Sequence, residues 1–231
     1  MALLAVAVAS AAFVQGALGV GFALVLAPLL GVVMPSLLPS ALLLLMLPLN
    51  AAAAWRERGA LDRRGVGRIT IGRVAGGVIG LLVLEAVPAG RLQLLVGVAT
   101  IATALATLAA PRFVPGLAAF LGAGVVTGIT ETATGIGGPP LALVYQHRPA
   151  AVLRASVAAC FLVGELFSIA LLLGTGRLPF EQLAAAVVLL PPLALGLALS
   201  GRAGQRVDGP RFRALILGFA VLSGLVCLIP T

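Results

Sequence analysis

A chain of 231 residues with 61% apolar and only 10% charged side chains, at a mean hydropathy of +1.19, is far from a soluble domain, where roughly a quarter of residues are charged. The net charge of +8 comes from 15 basic residues, all arginine, set between apolar runs without any aromatic-interleaved basic patch. That pattern belongs to the cytoplasmic loops of a polytopic membrane protein and excludes nucleic acid as a partner, while a single histidine, His147, excludes a metal cluster or a His-dependent triad.

In chain order, charges, prolines and glycines punctuate eight apolar segments: about 2–33, 36–55, 66–86, 91–110, 114–146, 151–173, 179–200 and 210–229. The first, opening "MALLAVAVASAAF", has no positive n-region and runs on to Val33, so it reads as a membrane segment and not as a cleaved signal peptide. Six segments have the length of ordinary spans. The first and fifth run to roughly 32 residues, too long for one span and too short for two. Cys160 and Cys227 lie inside apolar runs and read as small buried hydrophobes.

Glycine interrupts both long segments, in "QGALGVGFALVLAP" from Gln15 and "ETATGIGGPPLAL" from Glu131. One shift of 116 residues (135 − 19 = 137 − 21) lays Gly19 on Gly135, Gly21 on Gly137, Gln15 on Glu131, Ser40 on Ser156 and Gly80 on Gly196. The chain therefore reads as an internal duplication, with a first membrane repeat at 1–110 and a second at 111–231.

Arginine placement gives the expected orientation. The loops "WRERGALDRRGVGR", "HRPAAVLR" and "GRAGQRVDGPRFR" belong in the cytoplasm, and the arginine-poor loops after segments one, three and six outside. Single crossings by all eight segments cannot satisfy this. Re-entrant hairpins in segments one and five can. The expected fold is all-α and polytopic, with two inverted repeats, each a re-entrant broken-helix hairpin plus three transmembrane helices, as in secondary transporters.

Broken helices at membrane depth aim unpaired N–H groups and positive dipole ends at a cavity, which suits an anion. In the second break Gly135, Gly137 and Gly138 permit close backbone approach, Pro139 and Pro140 fit the first turn of a new helix, and Thr130, Thr132 and Thr134 offer hydroxyl donors.

The paired breaks "GALGVGFALVLAP" and "GITETATGIGGPPLAL", in a chain of this length with eight apolar segments, resemble the TauE/SafE family of sulfite exporters over nearly the whole chain. The resemblance implies a bacterial inner-membrane, multi-pass transporter for sulfite, an organosulfonate or a related oxyanion. Family members carry a Gly-x-Gly-Gly-Gly type run followed by proline in each half. Here Phe22 and Ala23 follow Gly21, so the second break is the better expected anion cradle, with Gln15, Gly19 and Gly21 as its pseudo-symmetric wall.

Individual polar residues extend the expected site. Glu131, ionisable at membrane depth, reads as a proton-coupling group, as a structural cap on the second half-helix, or as a solvated loop residue. Glu165 is either a second protonatable group or the partner of an arginine from another segment; Asn50 either faces the same cavity or makes an interhelical hydrogen bond. Arg154 either clamps an oxyanion or snorkels to the cytoplasmic interface, which is favoured, and Arg73 is expected at that interface too. Ser156 and Ser40 either line the cavity or pack.

The expected partners are a small inorganic or sulfonate anion, membrane lipid and protons; a homodimer is compatible with the sequence, and no cofactor is expected. A passive anion channel of the same architecture is the alternative function. A membrane-embedded enzyme is disfavoured because the chain has two aspartates, one histidine and no Gly-x-Ser-x-Gly or His-Glu-x-x-His run.

Overall fold

The computed structural model describes residues 2–88, 91–109, 114–207, 218, 221–222 and 224–228, and the regular structure among them is entirely helical. The helices are α1 (Ala2–Leu18), α2 (Phe22–Val33), α3 (Ser40–Arg56), α4 (Arg63–Ala86), α5 (Leu92–Ala109), α6 (Leu117–Thr134), α7 (Gly138–Tyr145), α8 (Ala150–Gly174) and α9 (Phe180–Val207). The first seven apolar segments each reappear as a helix or a broken pair. The eighth, at 210–229, lies largely outside the described residues and is helical over most of the part within them. Arg211 and Arg213 of the last arginine-rich stretch also lie outside them.

Both breaks fall where glycine was expected to place them. Gly135 ends α6 in the left-handed conformation at φ 80°, and Gly19 follows α1 at φ 81°, a region in which a β-carbon is strained. α7 restarts at once with prolines in its first turn, where their missing N–H groups cost nothing.

By length and composition α4, α6, α8 and α9 can each cross a membrane. α3, with 17 residues, rises about 25 Å at 1.5 Å per residue, close to the hydrocarbon thickness. Large apolar side chains such as Ile71, Leu82, Leu166, Val187 and Leu195 point outward, as lipid-facing positions do. Pro28, Pro48, Pro191 and Pro192 lie inside helices, which neighbouring helices make tolerable in a membrane.

Where hydrocarbon solvates Leu as well as protein does, helices are held by close packing, so small residues sit at the contacts. A β-carbon on Gly72 or Gly76 of α4 would lie 2.2 Å from the carbonyl oxygen of Leu121 or Val125 of α6, and one on Gly80 would lie 2.6 Å from that of Ile129. The numbering ascends together, so α4 and α6 run parallel, backbone on backbone. α1 and α9 do the same: Gly196 abuts Ala9, and Gly16 abuts Ser200.

α3 and α8 run antiparallel through the middle. Ser40 Oγ donates to the Arg177 carbonyl at 3.0 Å at one end, and Arg154 Nε donates to Glu57 Oε1 at 2.8 Å at the other. The ends of α1, α3 and α9 meet, since Arg56 Nη2 donates to the Gly16 carbonyl at 3.1 Å and stands beside Gly201. At the opposite end Gln182 Nε2 donates to the Ser36 carbonyl at 2.6 Å, which fastens the residues after α2 to the start of α9.

Candidate functional site

The two breaks meet inside the bundle. Gly138, which opens α7, packs on Val20 of the first break and on Phe161 in the middle of α8. Gly19 rests against Arg154, one turn into α8, and Gly135 against Leu42, near the start of α3. Because α3 and α8 are antiparallel, the two tips reach past each other toward opposite ends of the bundle.

Around this crossing lies a buried polar cluster. Gln15 Oε1 accepts the backbone N–H of Phe22 at 3.0 Å, capping the start of α2, and Gln15 Nε2 donates to Asn50 Oδ1 at 3.1 Å. Asn50 Nδ2 donates in turn to Glu165 Oε1 at 2.7 Å. Asn50 thus makes interhelical hydrogen bonds from α3 to α1 and α8. Beside this chain of hydrogen bonds, Arg73 of α4 donates from Nη2 to Glu131 Oε1 of α6 at 2.5 Å and from Nη1 to the Cys160 carbonyl at 2.9 Å. Its guanidinium lies 5.7 Å from the Phe161 ring centroid and in the space left by Gly164, next to Glu165.

Arg73 corrects the sequence reading. It is 3% exposed and therefore not interfacial. It stands five residues past the exposed Arg68 on α4, about 7.5 Å further along the helix. The small-residue run Gly72, Gly76, Gly77 and Gly80 marks the packed face that adjoins it. Glu131 is likewise neither a solvated loop residue nor past the end of a helix; it sits in the last turn of α6, fully buried.

The threonine hydroxyls hold the second break together. Thr127 Oγ1 donates to the Gly137 carbonyl at 3.2 Å, and Thr134 Oγ1 accepts the Ile136 N–H at 3.3 Å while donating to the Thr130 carbonyl at 2.6 Å. Thr132 and Ser168 share a hydrogen bond of 2.7 Å, and Thr130 Oγ1 donates to the Val126 carbonyl at 3.0 Å. Glu131 Oε2 lies against Gly137, where a β-carbon would come within 2.3 Å of it, so that glycine makes room for the carboxylate. Gly21 precedes α2 with φ 126°.

Arg154 stands apart from this cluster at the end of the bundle, partly exposed and paired with Glu57. Ser156 Oγ accepts the Asp62 N–H at 3.0 Å, tying α8 to the entry of α4, and Ser40 plays its tying role at the other end. Cys160 and Cys227 are buried thiols.

The arrangement amounts to a multi-helix membrane protein whose broken helices converge on ionisable side chains shut away from solvent, the build of a solute transporter. The family model for the sulfite exporter TauE/SafE matches residues 3–227, and the chain belongs to the TauE/SafE sulfite exporter family. No curated protein and no solved structure matches it.

Proposed function

We propose that the protein is a secondary transporter that exports a small anion, such as sulfite or an organosulfonate, across the bacterial inner membrane. The anion binds near the bilayer midplane where the two breaks meet, and protons are coupled to its movement through Glu131 and Glu165. Family membership supports the class of transporter and anion. The observation that carries the rest is the crossing of the breaks, Val20 on Gly138, beside a buried cluster that contains one guanidinium and two carboxylates.

The helix directions support an inverted duplication of 1–110 and 111–231. α1 runs parallel to α9 and α2 returns to the end where α9 starts, whereas α6 runs parallel to α4 and α7 returns to the end where α4 starts. On this reading the hairpins enter from opposite faces, the arginine-rich loops face the cytoplasm, and rocking of one half against the other exposes the site alternately. A passive channel fits less well, because Asn50, Glu131 and Glu165 are all inaccessible in this one conformation.

The test is sulfite efflux from proteoliposomes of the purified protein, with and without an imposed pH gradient. Efflux stimulated by the gradient, and loss of that stimulation in Glu131→Gln, is the expected result. No efflux of sulfite or of small sulfonates from the active orientation removes the anion assignment.

A further inference from the structure

We propose that Arg73 is the group that holds the transported anion, that Glu131 occupies its place when no anion is bound, and that the exchange takes up one proton, making the carried unit a monoanion plus a proton. This rests on the transporter reading above and goes further in naming the binding group, the competitor and the stoichiometry.

Arg73 is the one basic residue buried among the described residues. Its guanidinium is fixed before any ligand arrives: Nη1 is held by the Cys160 carbonyl, one face looks onto Phe161, and the missing side chain of Gly164 leaves it space. Glu131 engages it with one oxygen only. Glu131 Oε2 and Arg73 Nε find no hydrogen-bond partner among the described residues, although both are buried. An incompletely satisfied pair of this kind is one that a better acceptor can displace. A sulfonate or bisulfite presents several oxygens to the same fork of N–H donors.

The charge count sets the proton number. The titratable and charged groups facing Glu131 are Arg73 from α4 and Cys160 and Glu165 from α8, with Asp62 before α4 and Tyr145 of α7 standing beyond Cys160. One guanidinium neutralises one carboxylate. With both Glu131 and Glu165 ionised the cluster would carry an uncompensated buried charge, which is costly. Charge balance therefore leaves one proton on the two glutamates in the empty site.

When a monoanion takes over Arg73, balance requires a second proton. It comes from solution onto a Glu131 oxygen, whose hydrogen bond from Arg73 Nη2 passes to the anion and whose new O–H can donate to an anion oxygen. Both states of the cluster are then neutral, so crossing the membrane with anion and proton moves no net charge. A dianion would leave an excess negative charge and is discriminated against.

The experiment measures methanesulfonate binding to the full-length protein in detergent by calorimetry, in two buffers of different ionisation enthalpy, beside sulfite efflux by the same preparation. Methanesulfonate stays singly charged throughout, so any proton uptake belongs to the protein. The expected result is about one proton taken up per anion, with affinity falling about tenfold per pH unit as pH rises through the titration of the cluster. Glu131→Gln combined with Glu165→Gln binds with no proton taken up. Arg73→Gln combined with Glu131→Gln, which removes the pair without stranding a buried charge, loses affinity by about tenfold or more.

Wild-type binding without proton uptake overturns the proposal, as does undiminished binding by the Arg73→Gln, Glu131→Gln protein; in either case continued sulfite efflux leaves the transporter reading intact. Sulfite efflux without methanesulfonate binding overturns the monoanion assignment. Absence of both efflux and binding removes the anion-transporter reading, and this proposal with it.

Discussion

Replacing Gly76 by alanine tests the packing on which the site depends. The new β-carbon would lie 2.2 Å from the Val125 carbonyl oxygen, where ordinary contact begins near 3.4 Å, so α4 and α6 must separate locally by about 1 Å. The obstacle is backbone, which cannot rotate aside as a flexible side chain can. A gap of 0.5–1 Å already forfeits about a quarter to a half of each dispersion contact, and overpacking of a tight interface costs about 1–3 kcal/mol. Thermal unfolding in detergent, followed by scanning fluorimetry, should show Gly76→Ala melting lower by about 2–4 °C for each kcal/mol lost. Arg73 lies one turn away on the same helix, so sulfite efflux should fall as well. Gly122→Ala is the matched control, because a β-carbon there meets nothing within 4 Å. If Gly76→Ala and Gly122→Ala melt together, the backbone-on-backbone account of the α4–α6 contact is wrong.

Gly135→Ala forces a left-handed residue against Leu42 and should cost about 1–3 kcal/mol, whereas Gly174→Ala, in open space, should cost nothing; equal melting points for the two would contradict the break geometry. Gln15→Ala leaves the Phe22 N–H and Asn50 Oδ1 without their partners, a loss of about 1–3 kcal/mol, and hydrogen exchange at the Phe22 amide should accelerate. Single cysteines at Ser36 and at Gly59, in a protein lacking Cys160 and Cys227, should label with a membrane-impermeant maleimide from opposite faces, Gly59 from the cytoplasm. Labelling of both from one face would refute the proposed orientation.

The helices and their breaks were readable in the residues because their causes are local. A hydrocarbon-length apolar run, a glycine that permits positive φ and a proline that suits a first turn each act within a few positions, and Gly19, Gly135 and Pro139 did so. The burial of Arg73 is not legible locally because it depends on partners from other helices. Neighbourhood to the arginine-rich loop points to the surface, whereas the groups that enclose Arg73 are Glu131, 58 residues away on α6, and the Cys160 carbonyl, 87 residues away on α8. The sequence offers the threonine hydroxyls as donors, and hydroxyls in or beside a helix also have carbonyls within reach. Thr130 and Thr134 each bond to the carbonyl four residues back, a competition that residue type alone does not reveal.

Gln15 and Glu131 hold matching positions under the 116-residue shift and behave differently. The amide is committed to the Phe22 N–H and to Asn50, while the acid is held by Arg73, the side chain proposed to take the anion. In a carrier that works as proposed, one half is then a fixed bearing and the other a switch. Its inward- and outward-open forms need not be mirror images, and the anion meets unequal affinities at the two faces. Detailed balance ties any such inequality to a difference between the inward–outward distributions of the empty and the loaded carrier. The asymmetry therefore sets how far the anion shifts that distribution and the concentration range over which the protein responds, while the gradients of anion and proton alone decide the direction of net flow.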